Sequence, residues 1–338
     1  MEKSVVSSEE YPTCRSVIEG IASDTHRVLT EEEQSKLKKQ DDSVLSEFKK
    51  LKLEAEAQKN WDLFYKRNDT RFFRDRHWTT REFELLVGID GDAKKVLLEI
   101  GCGVGNFLFP LLEENAGLFI YGCDFSPRAV EFVKGDPRFN EERMKVFVCD
   151  ITKDRLENNI PELVDVVSLI FVLSAIHPDK FHQALQSAAD VLKPGGVLVF
   201  RDYGLYDMAQ LRFGRGNKIG ENFYVRQDGT RSYFFSVECL KTLGTGAGFD
   251  VSSCHYVNRR TVNKKEGVDE PRIFVQAKFT KRGCKMQCCS LCFLGALYLE
   301  VLPGRFNKGG VGNFRKDIVK VGLFWCRFLK CVCLTLRK

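Results

Sequence analysis

The sequence predicts an α/β fold with a doubly wound, mostly parallel sheet and helices on both of its faces. Segments with strand and helix character alternate from Lys95 onward. Residues 164–173 (VDVVSLIFVL) form an uninterrupted apolar run, which is typical of a parallel strand covered on both faces. A glycine-rich turn and two aspartates follow successive predicted strands, at the edge where such sheets bind ligands.

Each element follows from a local pattern of residues. The predicted parallel strands lie at residues 95–100, 119–123, 145–149, 164–173 and 197–202. The predicted helices lie at 106–113, after Ser126, at 181–192 and at 236–243. Ser126 is an N-cap with Pro127 at the first helical position, and a Lys-Pro-Gly-Gly sequence at 193–196 stops the third helix. Alternation at 250–259 and 272–279 predicts a final antiparallel pair.

The N-terminal third has a different character. Residues 1–29 show no periodicity and predict a flexible N-terminus. Residues 30–60 predict helix, starting at a capping box in which Thr30 and Glu33 satisfy each other's backbone N–H groups. Residues 61–89 are rich in aromatic and basic types, and Thr79 marks another helix start.

Charge and cysteine are distributed unevenly. Residues 281–338 carry twelve Lys or Arg and two Asp or Glu, whereas the rest of the chain has 40 basic and 44 acidic residues. Seven of the thirteen cysteines also lie in this segment, but only Cys289 and Cys292 have the spacing of a zinc ribbon pair. We therefore expect no metal site and interpret 281–338 as a divergent basic, Cys-rich tail outside the fold.

The sequence has no apolar run long enough to span a membrane, and its first residues lack the features of a secretory signal. We interpret the scattered cysteines as reduced thiols. The expected location is therefore the cytoplasm, with the nucleus as an additional compartment. We expect a monomer that does not bind membranes.

The ends of the first three predicted strands suggest an adenosine site. Gly101, Gly103 and Gly105 allow a tight turn and a close approach of the backbone to a ligand. Asp124 ends the next strand, where a carboxylate can accept both ribose hydroxyls. Asp150 can accept from the adenine amino group while Ile151 covers the ring. Either aspartate alone is equally consistent with a helix cap. The glycine turn lacks the last glycine of the fingerprint that binds the pyrophosphate of a dinucleotide. Together, the turn and the two aspartates therefore favour S-adenosylmethionine over NAD.

The sequence also resembles a known family. From about Thr30 to Phe279 it is similar to the methyltransferase-like enzymes that form 3-methylcytidine in tRNA, and most similar to the members acting on serine tRNAs with seryl-tRNA synthetase. The segments that carry the resemblance are 58–68, 72–83, 101–106, 123–128, 170–178, 201–207, 222–235 and 261–266. The glycine turn is shared by many methyltransferases, whereas 61–83 and 201–235 are far more particular to this family.

The resemblance implies a class I, Rossmann-like methyltransferase domain at 90–280 with a seven-stranded sheet. Residues 30–89 would form a helical cofactor lid and tRNA-binding region. Gly101 and Gly103 would face the methionyl part of the cofactor, and Ile170 would offer its backbone. Trp61 and Tyr65 would close over it; they share one helical face, but they are equally consistent with core contacts.

Three basic segments predict an RNA-binding face. Residues 66–81 interleave six Arg or Lys with Phe72, Phe73, His77 and Trp78, so phosphates and a splayed base could both be bound. The alternative is a charged lid packed over the sheet edge. The other two segments are 212–231, and Arg259-Arg260 with Lys264-Lys265.

Cytosine N3 carries a neutral lone pair, so methyl transfer needs positioning rather than a strong base. We expect Asp202 to lie near the exocyclic amine, and Tyr203, Arg76 and His77 to hold the flipped base or its phosphate. His177 is consistent with either a structural or a catalytic role. The predicted function is 3-methylcytidine formation in the anticodon loop of serine tRNAs. The alternatives are a class I methyltransferase of a protein or small molecule, and a non-catalytic RNA-binding scaffold.

Overall fold

The computed structural model describes residues 22–72, 75–76, 82–83, 86, 95–263 and 268–283. All of them belong to the first of two units into which the chain divides, Met1–Cys284. The predicted helix start at Thr79, the pair Lys264-Lys265, and the tail cysteines from Cys284 onward lie outside the described residues.

Eleven strands and eight helices occur in the described part of the chain. The strands are β1 Ala22–Ser23, β2 Lys95–Ile100, β3 Leu118–Asp124, β4 Met144–Val148, β5 Val164–Ile170, β6 Leu192–Tyr203, β7 Lys218–Gly220, β8 Phe223–Val225, β9 Arg231–Tyr233, β10 Phe249–Asn263 and β11 Val268–Lys281. The helices are α1 Glu31–Asp41, α2 Glu47–Ala55, α3 Ala57–Asn68, α4 Leu108–Glu114, α5 Pro127–Gly135, α6 Phe181–Val191, α7 Met208–Leu211 and α8 Val237–Gly246.

The main sheet confirms the predicted doubly wound architecture. Its strand order is β4-β3-β2-β5-β6-β11-β10-β1. The pairs from β4 to β6 are parallel, and β11, β10 and β1 continue the sheet in antiparallel fashion. The seven predicted strands are all present, and β1 adds a two-residue edge strand. The strand order reverses between β2 and β5, which places a cleft at their carboxyl ends.

Side chains of the central strands alternate between two buried cores. On β2, Val96 and Leu98 contribute to one apolar cluster and Leu97 contributes to the other. Helices α6 and α8 pack on the first face, and α4 and α5 pack on the second. Because both faces are covered, β2 and β5 are apolar along almost their whole length.

Several strands differ in length from the prediction. β3, β10 and β11 are longer than the predicted ranges 119–123, 250–259 and 272–279, and β5 and β6 differ as follows. β5 ends at Ile170 because Phe171 adopts a φ of 61°, in the left-handed region that terminates an extended strand. The predicted strand was longer because its apolar sequence continues to Leu173, whose side chain is buried although it lies beyond the strand. Helix α6 ends at Val191 before the Lys-Pro-Gly-Gly segment, but the chain enters β6 immediately at Leu192.

The predicted N-terminal helical region consists of three helices rather than one. The capping box at its start is confirmed, since Thr30 Oγ1 accepts from the Glu33 N–H at 3.3 Å and Glu33 Oε2 accepts from the Thr30 N–H at 3.0 Å. The backbone leaves helical geometry after Asp42, and Glu56 separates α2 from α3. These breaks let α3 lie against the carboxyl edge of the main sheet.

Two features were absent from the sequence prediction. Residues 22–23 pair with Val257 and Tyr256 of β10, within the segment expected to be flexible. Strands β7, β8 and β9 form a separate antiparallel sheet within residues 218–233. Each of its strands has three residues, too few for a period of two to be recognised.

Candidate functional site

A cavity with a volume of about 930 Å³ lies at the carboxyl ends of the parallel strands. Its walls include the predicted cofactor residues from three strand ends and from α3: Gly101, Asp124, Asp150, Ile151, Trp61 and Tyr65. This volume includes space at the mouth of the cavity that is open to solvent.

The glycine turn after β2 depends on its missing side chains. Gly101 has a φ of 68°, and a Cβ there would stand 2.5 Å from Val172 Cγ2. Gly103 has a φ of 54°, and a Cβ there would stand 3.0 Å from Tyr65 Oη. Glycine at these positions therefore permits both the left-handed turn and the close approach of α3.

Asp124 ends β3 and is 5% exposed. Its carboxylate accepts from the Gly103 N–H at 3.0 Å and from the Ser126 N–H at 2.9 Å. Burial raises the pKa of Asp124 to about 6, although these backbone hydrogen bonds oppose the shift. The side chain thus fixes the glycine turn and also lines the cavity.

Asp150 and Ile151 follow β4 at the same edge. Asp150 accepts from Thr152 Oγ1 at 2.7 Å and pairs with Lys153 Nζ at 2.8 Å. Burial would raise the pKa of Asp150, but these hydrogen bonds outweigh it and lower the pKa below its usual value. Ile151 is buried and presents an apolar surface to the cavity.

Helix α3 closes one side of the cavity. Trp61 and Tyr65 lie on one face of it, with ring centroids 5.9 Å apart, and both line the cavity. Asp62 Oδ1 accepts from Ser126 Oγ at 2.9 Å and its Oδ2 pairs with Arg128 Nε at 3.3 Å, which ties α3 to the start of α5. Burial raises the pKa of Tyr65 well above its usual range, so its hydroxyl remains protonated.

A second cavity, of about 830 Å³, adjoins the first and shares Trp61, Tyr65, Gly101 and Phe171 with it. Its wall also includes two predicted base-binding residues, Arg76 and Tyr203. The loop between β8 and β9 and the first residue of β9 contribute Arg226, Asp228, Thr230 and Arg231. The glycine turn therefore stands where the two cavities meet.

Arg76 is held at the border of this second cavity. Its N–H donates to the Asn106 carbonyl at 2.7 Å, and its Nη1 donates to the Ile170 carbonyl at 3.2 Å. Its guanidinium also lies 5.4 Å from the centroid of Phe171. Ile170, whose backbone was expected to face the cofactor, lines this second cavity, and its carbonyl already accepts one hydrogen bond from Arg76.

Asp202 and Tyr203 occupy different positions although they are neighbours. Asp202 is fully buried and lies outside the set of residues that line the two cavities. Its carboxylate accepts from the Ser174 and Tyr203 N–H groups, each at 2.9 Å. Burial raises its pKa to about 6. Tyr203 lines the second cavity, with the guanidinium of Arg226 5.5 Å from its ring centroid.

Of the two histidines considered as site residues, His77 and His177, the structure describes His177. His77 lies outside the described residues. His177 lines the first cavity, and its Nδ1 accepts from the Asp179 N–H at 3.3 Å, capping the short turn Pro178–Lys180. This contact gives His177 a structural role.

Sequence reasoning missed Glu99, two residues before Gly101. It is 2% exposed, lines the second cavity, and its Oε2 has no hydrogen-bond partner among the described residues. Burial raises the pKa of Glu99 well above its usual range, against the opposing effect of Arg76. The sequence did contain a signal for this residue, because an acidic residue near the end of an otherwise apolar strand is unusual.

A half-buried ion-pair network was also missed. Glu54 of α2 accepts from Lys180 Nζ at 2.5 Å and from Arg231 Nη1. Arg231 is 5% exposed, donates to the Ala175 carbonyl at 3.0 Å and lines both cavities. The sequence analysis assigned Arg231 to the basic segment 212–231 of a predicted RNA-binding face, whereas in the structure Arg231 pairs with Glu54.

Other basic residues of the predicted RNA face also have acidic partners. The pairs are Arg212 with Glu270, Lys218 with Asp41, and Arg259 with Glu82. Lys66, Arg67 and Arg71 are exposed at the end of α3 and just beyond it. These three exposed cations lie in the chain between Tyr65 and Phe72, two residues that line the second cavity.

Comparisons with known proteins agree with this geometry. A family model described as a methyltransferase domain matches residues 98–198. The chain is 61% identical over 258 residues to the human tRNA N(3)-cytidine methyltransferase METTL6, covering 75% of this chain and 90% of that protein. It is 46% identical over 243 residues to the Schizosaccharomyces pombe tRNA N(3)-methylcytidine methyltransferase trm141, covering 71% and 98% respectively.

Among solved structures, a SAM-dependent methyltransferase from Anabaena variabilis matches with a TM-score of 0.50 and 14% identity, covering 67% of this chain and 95% of that one. This likeness supports the class I fold. Within the described residues, no helix combines the length and apolarity needed to cross a membrane, and no cluster of His, Cys, Asp and Glu could hold a metal ion.

Proposed function

The chain belongs to the family of tRNA N(3)-cytidine methyltransferases, and from this premise we propose that its two adjoining cavities divide the reaction between them. The chain uses S-adenosylmethionine to form 3-methylcytidine in tRNA. In our proposal the first cavity holds the adenosine part of the cofactor and the second holds the target cytosine. The observation that carries this assignment is the position of the glycine turn between the two cavities.

The residues of the first cavity suit the cofactor. Asp124 would accept from the ribose hydroxyls, and Asp150 would accept from the adenine amino group while Ile151 covers the ring. Gly101 lines both cavities, and in the adjoining second cavity the Oε2 of Glu99, unpartnered within the described residues, would accept from the ammonium group of the cofactor. When bound, S-adenosylmethionine supplies an electrophilic methyl group on a sulfonium centre.

The chain's own residues would position the base rather than activate it. Cytosine N3 is a neutral nucleophile, so the rate depends on alignment and on exclusion of water. Trp61 and Tyr65 would cover the reacting centre, while Arg76 and Tyr203 would hold the base. We propose that Asp202 acts through Tyr203, whose N–H it accepts from, as a positioning residue. The base-binding role of His77 stays a prediction.

For the substrate, we propose cytidine in the anticodon loop of serine tRNAs, with seryl-tRNA synthetase as a partner. The resemblance of residues 30–279 as a whole, which is greatest to the members acting on these tRNAs, supports this choice. The exposed cations Lys66, Arg67 and Arg71, which lie in the chain between two residues that line the second cavity, suit the phosphates of a loop. We further propose a monomer that acts in the cytoplasm and also in the nucleus.

The substrate proposal can be tested with purified chain, cofactor and individual tRNA transcripts. We expect serine tRNAs to be methylated faster than transcripts of other tRNAs, and added seryl-tRNA synthetase to raise the rate further. The control is a serine tRNA in which the target cytidine is replaced by uridine. Equal rates on all transcripts, with and without the synthetase, would contradict the proposal.

A further inference from the structure

Two carboxylates line the second cavity in the described part of the chain, Glu99 and Asp228. Glu99 is the penultimate residue of β2 and lies two residues before Gly101 of the glycine turn. Asp228 lies in the loop between β8 and β9. Arg226 of the same loop also lines the cavity, with its guanidinium 5.5 Å from the ring centroid of Tyr203. Asp228 is therefore the carboxylate placed where a base, rather than the cofactor, would enter.

Asp228 is held in a defined orientation. Its Oδ1 accepts from the Thr230 N–H at 2.9 Å and from Thr230 Oγ1 at 2.6 Å. No hydrogen bond to its Oδ2 is found within the described ranges, so that atom keeps its capacity to accept. The loop itself is fixed to α3, because Asn60 Nδ2 donates to the Gly229 carbonyl at 3.1 Å.

This attachment links the loop to the cofactor lid. Asn60 directly precedes Trp61, which lines both cavities. Gly229 has a φ of 85°, and a Cβ there would stand 2.9 Å from Asn60, so the contact depends on glycine. The same helix thus positions both the cover of the cofactor site and the loop that carries Asp228.

We propose that Asp228 accepts a hydrogen bond from the exocyclic amino group of the target base and thereby selects cytosine over uracil. Cytosine presents an amino donor at this edge, whereas uracil presents a carbonyl acceptor. A carboxylate can only accept, so uracil would bring two acceptors into contact and leave both unsatisfied. This inference rests on the proposed function, because it requires the base to enter the second cavity.

The charge movement of the reaction favours the same arrangement. The N3 lone pair forms a bond to the methyl carbon, and the sulfur keeps the electrons of the bond that breaks. The positive charge consequently passes from the sulfonium to the cytosine ring, and no proton needs to leave. A carboxylate next to the amino group stabilises this developing charge.

The test is Asp228→Asn, which keeps the oxygen that accepts from Thr230 and replaces the other oxygen with an amide donor. We expect kcat/KM on cytidine in tRNA to fall about 100-fold, the worth of a hydrogen bond to a charged group. Cofactor affinity and thermal melting should stay as in the unaltered chain. The matched control is Glu221→Gln, which changes an exposed acid before β8. It should leave kcat/KM, cofactor affinity and thermal melting unchanged.

A second measurement separates base recognition from a structural effect. Binding of anticodon stem-loops with cytidine or uridine at the target position is compared by competition. The unaltered chain should prefer cytidine, and Asp228→Asn should lose most of that preference. Early melting, loss of cofactor affinity, or an unchanged preference in the variant would overturn the inference. If the unaltered chain forms no 3-methylcytidine, the proposed function fails instead.

Discussion

Burial raises the pKa of two aspartates with different predicted roles, Asp124 at the ribose and Asp202 at the base. Asp124 and Asp202 each lie at the carboxyl end of a parallel strand, and the pKa of each is raised to about 6 by burial. Asp124 lines the first cavity, whereas both oxygens of Asp202 accept from backbone N–H groups behind the cavity wall. Only Asp124 can therefore couple its ionisation to cofactor binding.

This difference predicts a pH-dependent cofactor affinity. The ribose hydroxyls need an ionised Asp124, and the ionised fraction falls as pH drops through about 6. The dissociation constant of S-adenosylmethionine should therefore be about tenfold higher at pH 5 than at pH 7. In Asp124→Asn, affinity should be weak at both pH values and nearly independent of pH. Calorimetric titration measures both quantities.

The matched control for that prediction is Asp202→Asn, which removes a second buried aspartate with a similar pKa. Its cofactor affinity should keep the pH dependence of the unaltered chain. A flat affinity in the unaltered chain, or a pH dependence that survives in Asp124→Asn, would assign the titration to another group.

Without a ligand, the burial of ionised Asp124 destabilises the folded state at neutral pH. The folded pKa of Asp124 is raised above 3.8, so protonated Asp124 favours the folded state. This contribution is complete below pH 3.8 and is lost as pH rises through about 6. It amounts to about 3 kcal/mol. The sequence located Asp124 correctly, but the pKa depends on neighbours that are distant in the chain.

At the scale of elements, α2 and α3 are held in different ways. Phe64 and Tyr65 of α3 pack in an apolar cluster with Val104 and Ala129. Phe48 and Leu51 of α2 are largely exposed, whereas Glu54 pairs with Lys180 and Arg231. The position of α2 within this helical pair thus depends mainly on one carboxylate.

Glu54→Gln should loosen the helical pair. The side chains of Glu54 and Lys180 are about one-third exposed, so we expect a loss of about 1 kcal/mol in unfolding free energy after allowing for solvent screening. Cofactor affinity should fall as well, because Glu54 lines the first cavity. Glu47→Gln on the same helix is the control, since the side chain of Glu47 is itself 80% exposed and pairs with Lys50 of its own helix. Equal effects of the two substitutions on cofactor affinity would refute the role given to Glu54.

Elements with a strong local signal were predicted well, and those defined by distant partners were not. The capping box at Thr30 and the cap at Ser126 involve only neighbouring residues, and both are confirmed. Strand β1 and the sheet of β7, β8 and β9 have two or three residues per strand, so their sequences carry no readable period. The bridges from Glu54 to Arg231 and from Asn60 to Gly229 join residues far apart in the chain.

The whole molecule combines a slightly acidic body with a basic C-terminal segment. The last contacts of the described fold are Lys281 Nζ donating to the Leu192 carbonyl at 2.6 Å and Arg282 pairing with Asp250 at 2.9 Å. Every residue that lines the two cavities precedes them in the chain. A chain that ends at Gly283 therefore retains the complete proposed site.

We predict that a chain ending at Gly283 melts like the full chain and methylates tRNA at a similar rate near physiological salt. Its non-specific RNA affinity at low salt should be lower, because most of the positive charge of residues 281–338 is removed. Melting and turnover measured side by side check this. Normal melting with lost turnover would make the C-terminal segment part of the substrate-binding site.

The central claim is that the chain transfers the methyl group of S-adenosylmethionine to cytidine N3 of tRNA. Mass spectrometry of nucleosides tests it most directly, after tRNA is incubated with the full chain and cofactor carrying a deuterated methyl group. We predict 3-methylcytidine that carries the deuterated methyl, and none with Asp124→Asn at the same cofactor concentration. Labelled methyl on another nucleoside only, or none in tRNA at all, would contradict the claim.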